Sequence, residues 1–254
     1  MRHGPGSGKP GVRAWGGAFP AREVKAAVVL VSGGVDSSTL LHDLRRRLGA
    51  RARLLALSFA YGQRHARELR CARAQARAVG VESHRVVELT ALGRLVAEGS
   101  ALVRGPIAVP DLRQLRAHEL RQPPTYVPNR NMVLLAVAAA YAEAQGVHAV
   151  VYGAQAQDRY GYWDCTRIFL RRLNAVLALN RRTPVRLYAP YVGWRKAAVV
   201  RQGIALGVDF GQTWTCYRGG RTPCRRCPSC LERMAAFQKA GVSDPLARGR
   251  TRRR

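Results

Sequence analysis

Short apolar runs alternate with amphipathic stretches along most of the chain. Strands are predicted at 26–31, 53–59 and 84–89, because each run is short, rich in valine or leucine and bounded by turn residues. Helices are predicted between them, at about 36–48 and 65–79. The first two strand runs are apolar on both faces, as in a parallel sheet that helices cover on both sides. The pattern predicts an α/β fold with a doubly wound, mainly parallel sheet.

The alternation is interrupted once and then resumes. Residues 90–124 contain two proline-containing turns around DLRQLRAHELR, which predicts an insertion or lid with one short helix. The elements predicted after it are helices at about 131–145, 164–178 and 195–206 and strands at 147–153 and 185–187. From residue 211 the chain is crowded with Cys, Gly, Arg and Pro, so we expect a separate segment at 211–245 after an α/β domain at 26–210.

Both termini depart from this organisation. Residues 1–25 are rich in Gly and Pro and carry no helical or strand period, so we expect a disordered extension. The tail, residues 246–254, ends in RGRTRRR, a block of like charge that does not pack. A solvated tail is favoured over an arm that binds nucleic acid.

Composition narrows the class of protein. With 254 residues, 47% of them hydrophobic, the chain can bury a large core, and no apolar stretch approaches the ~20 residues that span a bilayer. We therefore expect a cytoplasmic protein, without a membrane partner, whose cysteines stay reduced. The net charge of +28 is spread along the chain, which permits an anionic ligand or RNA but defines no nucleic-acid groove.

SGGVDSS follows the first predicted strand directly. In a parallel sheet this strand-to-helix turn is the usual phosphate site, where glycines let an anion approach backbone amides at the helix start. The simpler alternative is a tight turn before an Asp-capped helix. The loop lacks the lysine of a Walker motif, so transfer of a terminal phosphoryl group is not the first expectation. The predicted nucleotide-binding residues are Val31, Ser32, Gly33, Gly34, Val35, Asp36, Ser37, Ser38, Thr39, Leu40 and Leu41.

Four cysteines lie close together in TCYRGGRTPCRRCPSC. Cys216, Cys224, Cys227 and Cys230 suit a closed tetrahedral Zn²⁺ site of structural type. The main alternative is an iron–sulfur cluster, because C-x2-C-x2-C also begins the bacterial ferredoxin pattern. The C-x3-C-P portion of that pattern is absent, and a disulfide is disfavoured in a reducing compartment.

Three further stretches are TYVPNRNM, GYWDC and WRKA. Each has a simple explanation: Asn129 as a helix cap, Asp164 as a helix cap, and Lys196 as a solvated lysine. SGGVDSS itself resembles the pyrophosphate-binding loop (PP-loop) of the ATP pyrophosphatase superfamily. With that loop and the four cysteines, in this order, the three stretches resemble the 7-cyano-7-deazaguanine synthase family from about residue 26 to residue 245.

The resemblance implies an adenine nucleotide α-hydrolase-like fold and a ligase that forms C–N bonds. It implies that 7-carboxy-7-deazaguanine is adenylylated by ATP, that ammonia displaces AMP, and that a second activation gives the nitrile precursor of queuosine or archaeosine. Mg²⁺ would accompany ATP, with Asp36 capping the helix or holding the ion. The catalytic residues would be Lys196, Arg130 and Asp36. Lys196 and Arg130 would neutralise the negative charge of phosphate or carboxylate groups during the reaction. Asn131, Tyr162 and Asp164 would bind the heterocycle, on which Tyr162 or Trp163 could stack.

Other functions stay open at this point. A PP-loop enzyme that modifies tRNA directly would fit the charge, but it predicts an RNA-binding domain or a reactive cysteine pair that the sequence does not display. A related enzyme with a different acceptor, or a zinc-knuckle protein that binds RNA without catalysis, are further alternatives. Under the favoured hypothesis, the enzyme acts on small-molecule substrates and has no direct nucleic-acid partner. A homodimer is a candidate assembly.

Overall fold

The computed structural model describes residues 19–119, 122–155 and 162–247. Its five strands form one parallel sheet in the order β3-β2-β1-β4-β5. The strands are β1 (Ala26–Leu30), β2 (Arg53–Ala60), β3 (Ser83–Glu88), β4 (Ala149–Val151) and β5 (Arg186–Tyr188). The sequence-based prediction of a parallel α/β sheet is confirmed, with each predicted strand present.

Seven α-helices occur in the described ranges, and those that pack on the sheet divide between its two faces. The helices are α1 (Val35–Leu48), α2 (Arg67–Val79), α3 (Thr90–Val96), α4 (Arg130–Ala144), α5 (Arg167–Leu177), α6 (Lys196–Ala205) and α7 (Pro228–Lys239). One core joins the sheet to α1, α2, α6 and α7 through residues such as Val29, Leu40 and Val199. The other joins it to α4 and α5 through residues such as Val28 and Leu135. Alternate strand residues thus feed opposite cores, which makes the sheet doubly wound.

The interruption at 90–124 differs from its prediction in one respect. Its α-helix is α3, at the very start, whereas the described part of DLRQLRAHELR, residues 111–119, contains a 3₁₀ turn at Leu112–Gln114 and no α-helix. That stretch is held by tertiary contacts, because the Leu112 amide donates to the Arg226 carbonyl. Arg64 donates to the carbonyls of Ala101, Gly105 and Ile107, so the segment is fastened to the domain at several points.

Parts of the predicted termini lie outside the described residues. Of the N-terminal extension only 19–25 are described, and there the Phe19 ring packs edge-on against Tyr188, with ring centroids 4.9 Å apart. Residues 1–18 and 248–254 lie outside the described part of the chain. The predicted domain limits therefore stay predictions.

Candidate active site

A cavity of about 280 Å³ opens at the carboxyl ends of β1, β2 and β4. Strand order reverses between β1 and β4, and this switch point is where open α/β sheets bind ligands. Its lining includes residues of the glycine loop, the turn before α2, the start of α4, the turn before α5 and the cysteine segment. They are Ser32, Gly34, Val35, Asp36, Ser37, His65, Glu68, Thr125, Arg130, Asn131, Tyr152, Gln155, Tyr162, Cys165, Lys196, Thr215, Tyr217, Ser229 and Glu232. The three sequence stretches and the glycine loop therefore meet at one place.

The loop after β1 holds its shape through two serines. The Ser37 hydroxyl accepts from the Ser32 amide at 3.1 Å and lies 3.0 Å from the Ser32 hydroxyl, which in turn accepts from the Gly34 amide at 3.3 Å. Helix α1 begins at Val35, and the amides of a first helical turn have no carbonyl partner within the helix. The loop therefore presents hydroxyl and amide donors to the cavity, which suits an anion.

Part of the predicted nucleotide-binding stretch faces elsewhere. Ser38 and Thr39 are fully buried, and their hydroxyls have no hydrogen-bond partner among the described residues. Leu40 and Leu41 belong to the hydrophobic core that packs beneath α1. These four positions do not line the cavity, because the helix turns their side chains away from it.

Gly33 has a different reason for being glycine from the one that the sequence suggested. Its φ is +83°, and a Cβ there would lie 2.2 Å from the Glu68 carbonyl oxygen and 2.5 Å from the Ala72 amide nitrogen. The close approach in this structure is to helix α2. Gly33 fixes the loop against α2, and of the two loop glycines it is Gly34 that lines the cavity.

Lys196 is a buried ion-pair centre and not a solvated lysine. Its ammonium group hydrogen-bonds the Asp36 carboxylate and lies 3.6 Å from the Glu232 carboxylate, with 15% of the side chain exposed. Burial opposes its charge, but the two carboxylates outweigh burial and raise the pKa of Lys196 above its ordinary value. The lysine is therefore an ammonium ion at neutral pH, next to the glycine loop.

Arg130 supplies a second positive charge to the cavity. It begins α4 and lies 3.5 Å from the Tyr61 hydroxyl, and no described carboxylate lies within 4 Å of it. Burial works against its charge, but Tyr61 and, more weakly, Asp164 and Cys165 outweigh burial and raise the pKa of Arg130. A guanidinium without a close counter-ion in a cavity is suited to bind an anion.

The predicted heterocycle residues separate into two sets. Tyr162 and Asn131 line the cavity, and the Tyr162 hydroxyl lies 2.8 Å from that of Thr125. Asp164 is 2% exposed and accepts from the Asn131 amide at 3.3 Å, so it lies behind the cavity wall. Burial raises the pKa of Asp164, and Arg130 partly offsets this. Its predicted direct contact with the heterocycle is untested, and its observed contacts are with the start of α4.

Trp163 does not face the cavity. Its side chain is 43% exposed, its ring packs edge-on against Phe169, and its indole N–H donates to the Tyr126 hydroxyl at 2.9 Å. The cap of α5 is Thr166, whose side chain accepts from the Phe169 amide, and Asp164 does not cap it. Asn129 occupies the N-cap position of α4, as the simple explanation expected, but it is in a left-handed conformation (φ +53°) and its side chain makes no capping hydrogen bond.

Four cavity residues carry a buried polar atom with no hydrogen-bond partner in the described structure. These atoms are Asp36 Oδ1, His65 Nδ1, the Tyr152 hydroxyl and Gln155 Oε1. Burial raises the pKa of Tyr152, with smaller contributions from Cys165 and Asp164, so its hydroxyl stays a neutral donor. Buried polar atoms are rarely left unpaired in folded proteins. Their concentration here indicates that a polar ligand completes the site.

The four predicted metal ligands converge. The sulfur atoms of Cys216, Cys224, Cys227 and Cys230 all lie within 4.8 Å of one another. The Cys224 amide donates to the Cys216 sulfur and the Cys227 amide to the Cys224 sulfur, each at 3.3 Å. The Cys227 and Cys230 thiols lower the pKa of Cys216 through hydrogen bonds, and Cys216 in turn raises theirs. The group fits a metal ion that binds thiolates.

This cysteine cluster is part of the cavity wall. The Trp214 amide donates to the Gly33 carbonyl at 2.9 Å, which ties the segment to the glycine loop. Tyr217 lies next to Cys216, while Ser229 and Glu232 flank Cys230, and all three line the cavity. A metal bound by the cysteines would therefore fix one side of the site.

Sequence reasoning missed several cavity residues. His65, Glu68, Tyr152, Gln155 and Glu232 belong to no stretch that was singled out, and Tyr217 lies in the cysteine stretch but was given no role there. The H-x-x-E spacing of the first two was visible as a pair one helical turn apart. The contribution of Glu232 was not visible in the sequence, because it depends on how α7 packs against α6.

The sheet, its switch-point cavity and the serine–glycine loop define an adenine nucleotide α-hydrolase-like protein, the class that carries a PP-loop after its first strand. A family model described as "Queuosine biosynthesis protein QueC" matches residues 26–241. The chain belongs to this QueC family, and it is an enzyme.

Named relatives agree over nearly the whole chain. The 7-cyano-7-deazaguanine synthase of Hahella chejuensis is 42% identical over 221 residues, which cover 87% of this chain and 92% of the relative. That of Chromohalobacter salexigens is 41% identical over 245 residues, covering 96% and 94%. That of Archaeoglobus fulgidus is 43% identical over 221 residues, covering 87% and 89%.

Solved structures are more distant. The U34-tRNA thiolase NcsA from Methanococcus maripaludis shares 12% identity with a TM-score of 0.47, covering 88% of this chain and 66% of that one. A match at this level does not distinguish between activities. Among the described residues, no helix is both long enough and apolar enough to cross a bilayer.

Proposed function

We propose that this enzyme converts 7-carboxy-7-deazaguanine, ammonia and ATP to 7-cyano-7-deazaguanine, through two successive adenylylations. The observation that carries the proposal is that one cavity is lined by the PP-loop, by a half-buried lysine paired with carboxylates, and by a half-buried arginine with no described carboxylate within 4 Å. The PP-loop and the lysine suit a polyphosphate, and the arginine suits a carboxylate. The curated relatives named above are synthases of this nitrile.

ATP would bind with its phosphates at the PP-loop. The hydroxyls of Ser32 and Ser37 and the first-turn amides of α1 would donate to phosphate oxygens. Lys196 would offset the negative charge that develops when pyrophosphate departs. Mg²⁺ would be held by phosphate oxygens and Asp36, whose Oδ1 has no partner in the described structure.

The deazaguanine would bind between α4 and the turn before α5. Arg130 would pair with its carboxylate and orient one oxygen toward the α-phosphorus of ATP. Tyr162 and Asn131 would contact the ring system, and Tyr152 and Gln155 offer a donor and an acceptor to its polar edge. Asp164 would act from behind the wall by holding the start of α4.

The reaction then balances with ammonia alone as nitrogen donor. The carboxylate attacks the α-phosphorus and releases pyrophosphate; ammonia attacks the activated carbon and releases AMP. Adenylylation of the resulting amide oxygen releases a second pyrophosphate, and departure of a second AMP leaves the nitrile. Both carboxylate oxygens leave on AMP, and all three protons of ammonia are lost.

We assign Zn²⁺ to the cysteine cluster, in a structural role. A single ion with Zn–S bonds of ~2.3 Å places four sulfurs ~3.8 Å apart, and one bound ion draws together sulfurs that already lie within 4.8 Å. An iron–sulfur cluster puts several metal ions between its thiolates and needs wider spacing. Four thiolate ligands require reduced cysteines, which a reducing cytoplasm maintains. A soluble small-molecule substrate is consistent with the same compartment.

Product analysis tests the proposal. Purified enzyme with ATP, Mg²⁺, ammonium and the carboxylate substrate is expected to give the nitrile, detected by mass spectrometry, with AMP and pyrophosphate. Replacing the substrate by tRNA is expected to give no modified nucleoside. Nucleoside modification without nitrile would reject the proposal in favour of an enzyme that acts on RNA.

Metal analysis tests the zinc assignment separately. One zinc per chain is expected in native protein, and loss of zinc in Cys227→Ser. Cys71→Ser is the control, because Cys71 lies outside the four-sulfur group. Iron together with acid-labile sulfide in equal amount would contradict the assignment.

A further inference from the structure

Two cavity residues have no role in the scheme above, although both are buried. His65 and Glu68 are 5% and 9% exposed and line the cavity at the turn between β2 and α2. His65 Nε2 lies 3.2 Å from Glu68 Oε2, so the imidazole and the carboxylate form a pair. In the described part of the chain, His65 Nδ1 has no partner, and Glu68 has no lysine or arginine within 4 Å.

The carboxylate of this pair is held from the strand side. Gln63 donates from Nε2 to Glu68 Oε1 at 3.3 Å and to the Phe59 carbonyl at 2.8 Å. The Gln63 Oε1 accepts from the Tyr61 amide at 2.8 Å. The glutamine is therefore fixed by two backbone groups at the end of β2, and it fixes Glu68 in turn.

Two glycines bring the PP-loop and the cysteine segment against the same turn. A Cβ on Gly33 would lie 2.2 Å from the Glu68 carbonyl oxygen. A Cβ on Gly219 would lie 2.1 Å from the Arg64 carbonyl oxygen and 3.3 Å from His65 Cα. The Tyr217 ring lies 5.7 Å from that of His65, centroid to centroid. The pair is thus enclosed by the two functional segments of the site.

The neighbouring carboxylate orders the protons of the imidazole. A carboxylate only accepts, so a proton on Nε2 of the neutral ring would face Glu68 Oε2, 3.2 Å away, and Nδ1 would then carry the lone pair. A buried acceptor without a donor costs free energy, which an N–H group of a ligand would recover. After proton uptake, Glu68 would be the charged neighbour that stabilises the imidazolium.

Resting on the proposed function, we propose that His65 is the catalytic base that accepts protons from the substrate nitrogen, with Glu68 as its positioning residue. When ammonia attacks the adenylylated carbon, the C–N bond forms, the C–O bond to AMP breaks, and one N–H proton passes to His65 Nδ1. After the amide oxygen is adenylylated, the same nitrogen gives up its two remaining protons as the second AMP leaves. Neither adenylylation step needs this base.

If His65 is this base, replacing it should slow nitrogen transfer without slowing activation of the carboxylate. His65→Gln is expected to lower amide and nitrile formation by about 100-fold or more, within the range of general-base catalysis. Pyrophosphate release in the first, carboxylate-dependent turnover is expected to stay within about threefold of wild type. Glu68→Gln is expected to show the same separation with a smaller loss, about tenfold, because it keeps a hydrogen-bond acceptor.

His84→Gln is the matched control. His84 is a half-buried histidine on β3 that pairs with the Ser58 hydroxyl at 2.7 Å and does not line the cavity. It is expected to leave both reactions unchanged. Zinc content and ATP affinity of every variant report on folding independently of catalysis; should His65→Gln misfold, Glu68→Gln carries the test.

Each remaining outcome overturns the inference. Variants that keep wild-type nitrogen transfer leave the pair without a catalytic role, while parallel loss of pyrophosphate release and nitrogen transfer in zinc-loaded variants makes it structural. A wild type that activates the carboxylate but forms neither amide nor nitrile rejects the proposed function, and the inference falls with it. A wild type that makes nitrile beside equally active variants rejects the inference alone.

Discussion

Replacing Lys196 by methionine removes the one ammonium group that lies between Asp36 and Glu232. In the wild type these three groups carry a net charge of one negative unit, and the variant carries two. With an effective dielectric constant of about 20, one unit charge acting on a phosphate oxygen about 5 Å away is worth about 3 kcal/mol. We therefore expect kcat/KM for ATP to fall by roughly two orders of magnitude, measured as pyrophosphate release, with Lys25→Met at an exposed site as control.

The pH dependence of that difference is fixed by the direction of the pKa shift. The pKa of Lys196 is raised in the folded protein, because Asp36 and Glu232 outweigh burial. Stabilisation by the ion pair is then fully present below the unfolded value of 10.5 and is lost only as pH rises through the folded pKa. The ratio of wild-type to variant activity should be constant between about pH 6 and 9. A loss under threefold, or a ratio that collapses within that pH range, would refute the reasoning.

Three further changes test the packing around the site. Gly33→Ala should lower the free energy of unfolding by about 1–3 kcal/mol more than Gly49→Ala, because both positions have positive φ but only Gly33 faces helix α2 at contact distance; equal losses in urea denaturation would contradict this. Arg233→Met should cost about 3–5 kcal/mol, since it leaves Asp244 buried without its two 2.8 Å hydrogen bonds. The double variant Arg233→Met/Asp244→Asn should recover part of that loss, and a purely additive double variant would argue against a coupled pair. Removing the proposed zinc ion with a chelator should lower the melting temperature and abolish pyrophosphate release together, because Thr215, Ser229 and Glu232 would lose their support; full activity of metal-free protein would separate the cysteine segment from the site.

The fold could be predicted from the sequence because the strands are buried on both faces and the helices are amphipathic. It located the PP-loop and the four cysteines because these motifs are local in the chain. It could not choose between Tyr162 and Trp163 as the ring that borders the cavity, or show that Asp164 lies behind the cavity wall, since both depend on how α4 meets the turn before α5. It did not show that Gly33 also packs against the Glu68 carbonyl, because only tertiary structure brings that neighbour near.

Most of the cavity residues that sequence analysis missed were missed for the same reason: they reach the cavity only through contacts between segments that are distant in sequence. Glu232 reaches Lys196 only when α7 packs on α6, and Tyr217 borders the cavity only when the cysteine segment closes on the PP-loop. Pairs distant in sequence leave no periodic signal. His65 and Glu68 are the exception, because a titratable pair at i and i+3 beside a predicted helix start was open to inspection.

We propose that both carboxylate oxygens leave as part of AMP in a cavity built from the PP-loop, α4 and the cysteine segment. Carboxylate substrate labelled in both positions with heavy oxygen tests this in one mass-spectrometric measurement. We expect two labelled AMP molecules for each nitrile formed and no label in pyrophosphate. Nitrile accompanied by unlabelled AMP, or label in inorganic phosphate, would contradict it.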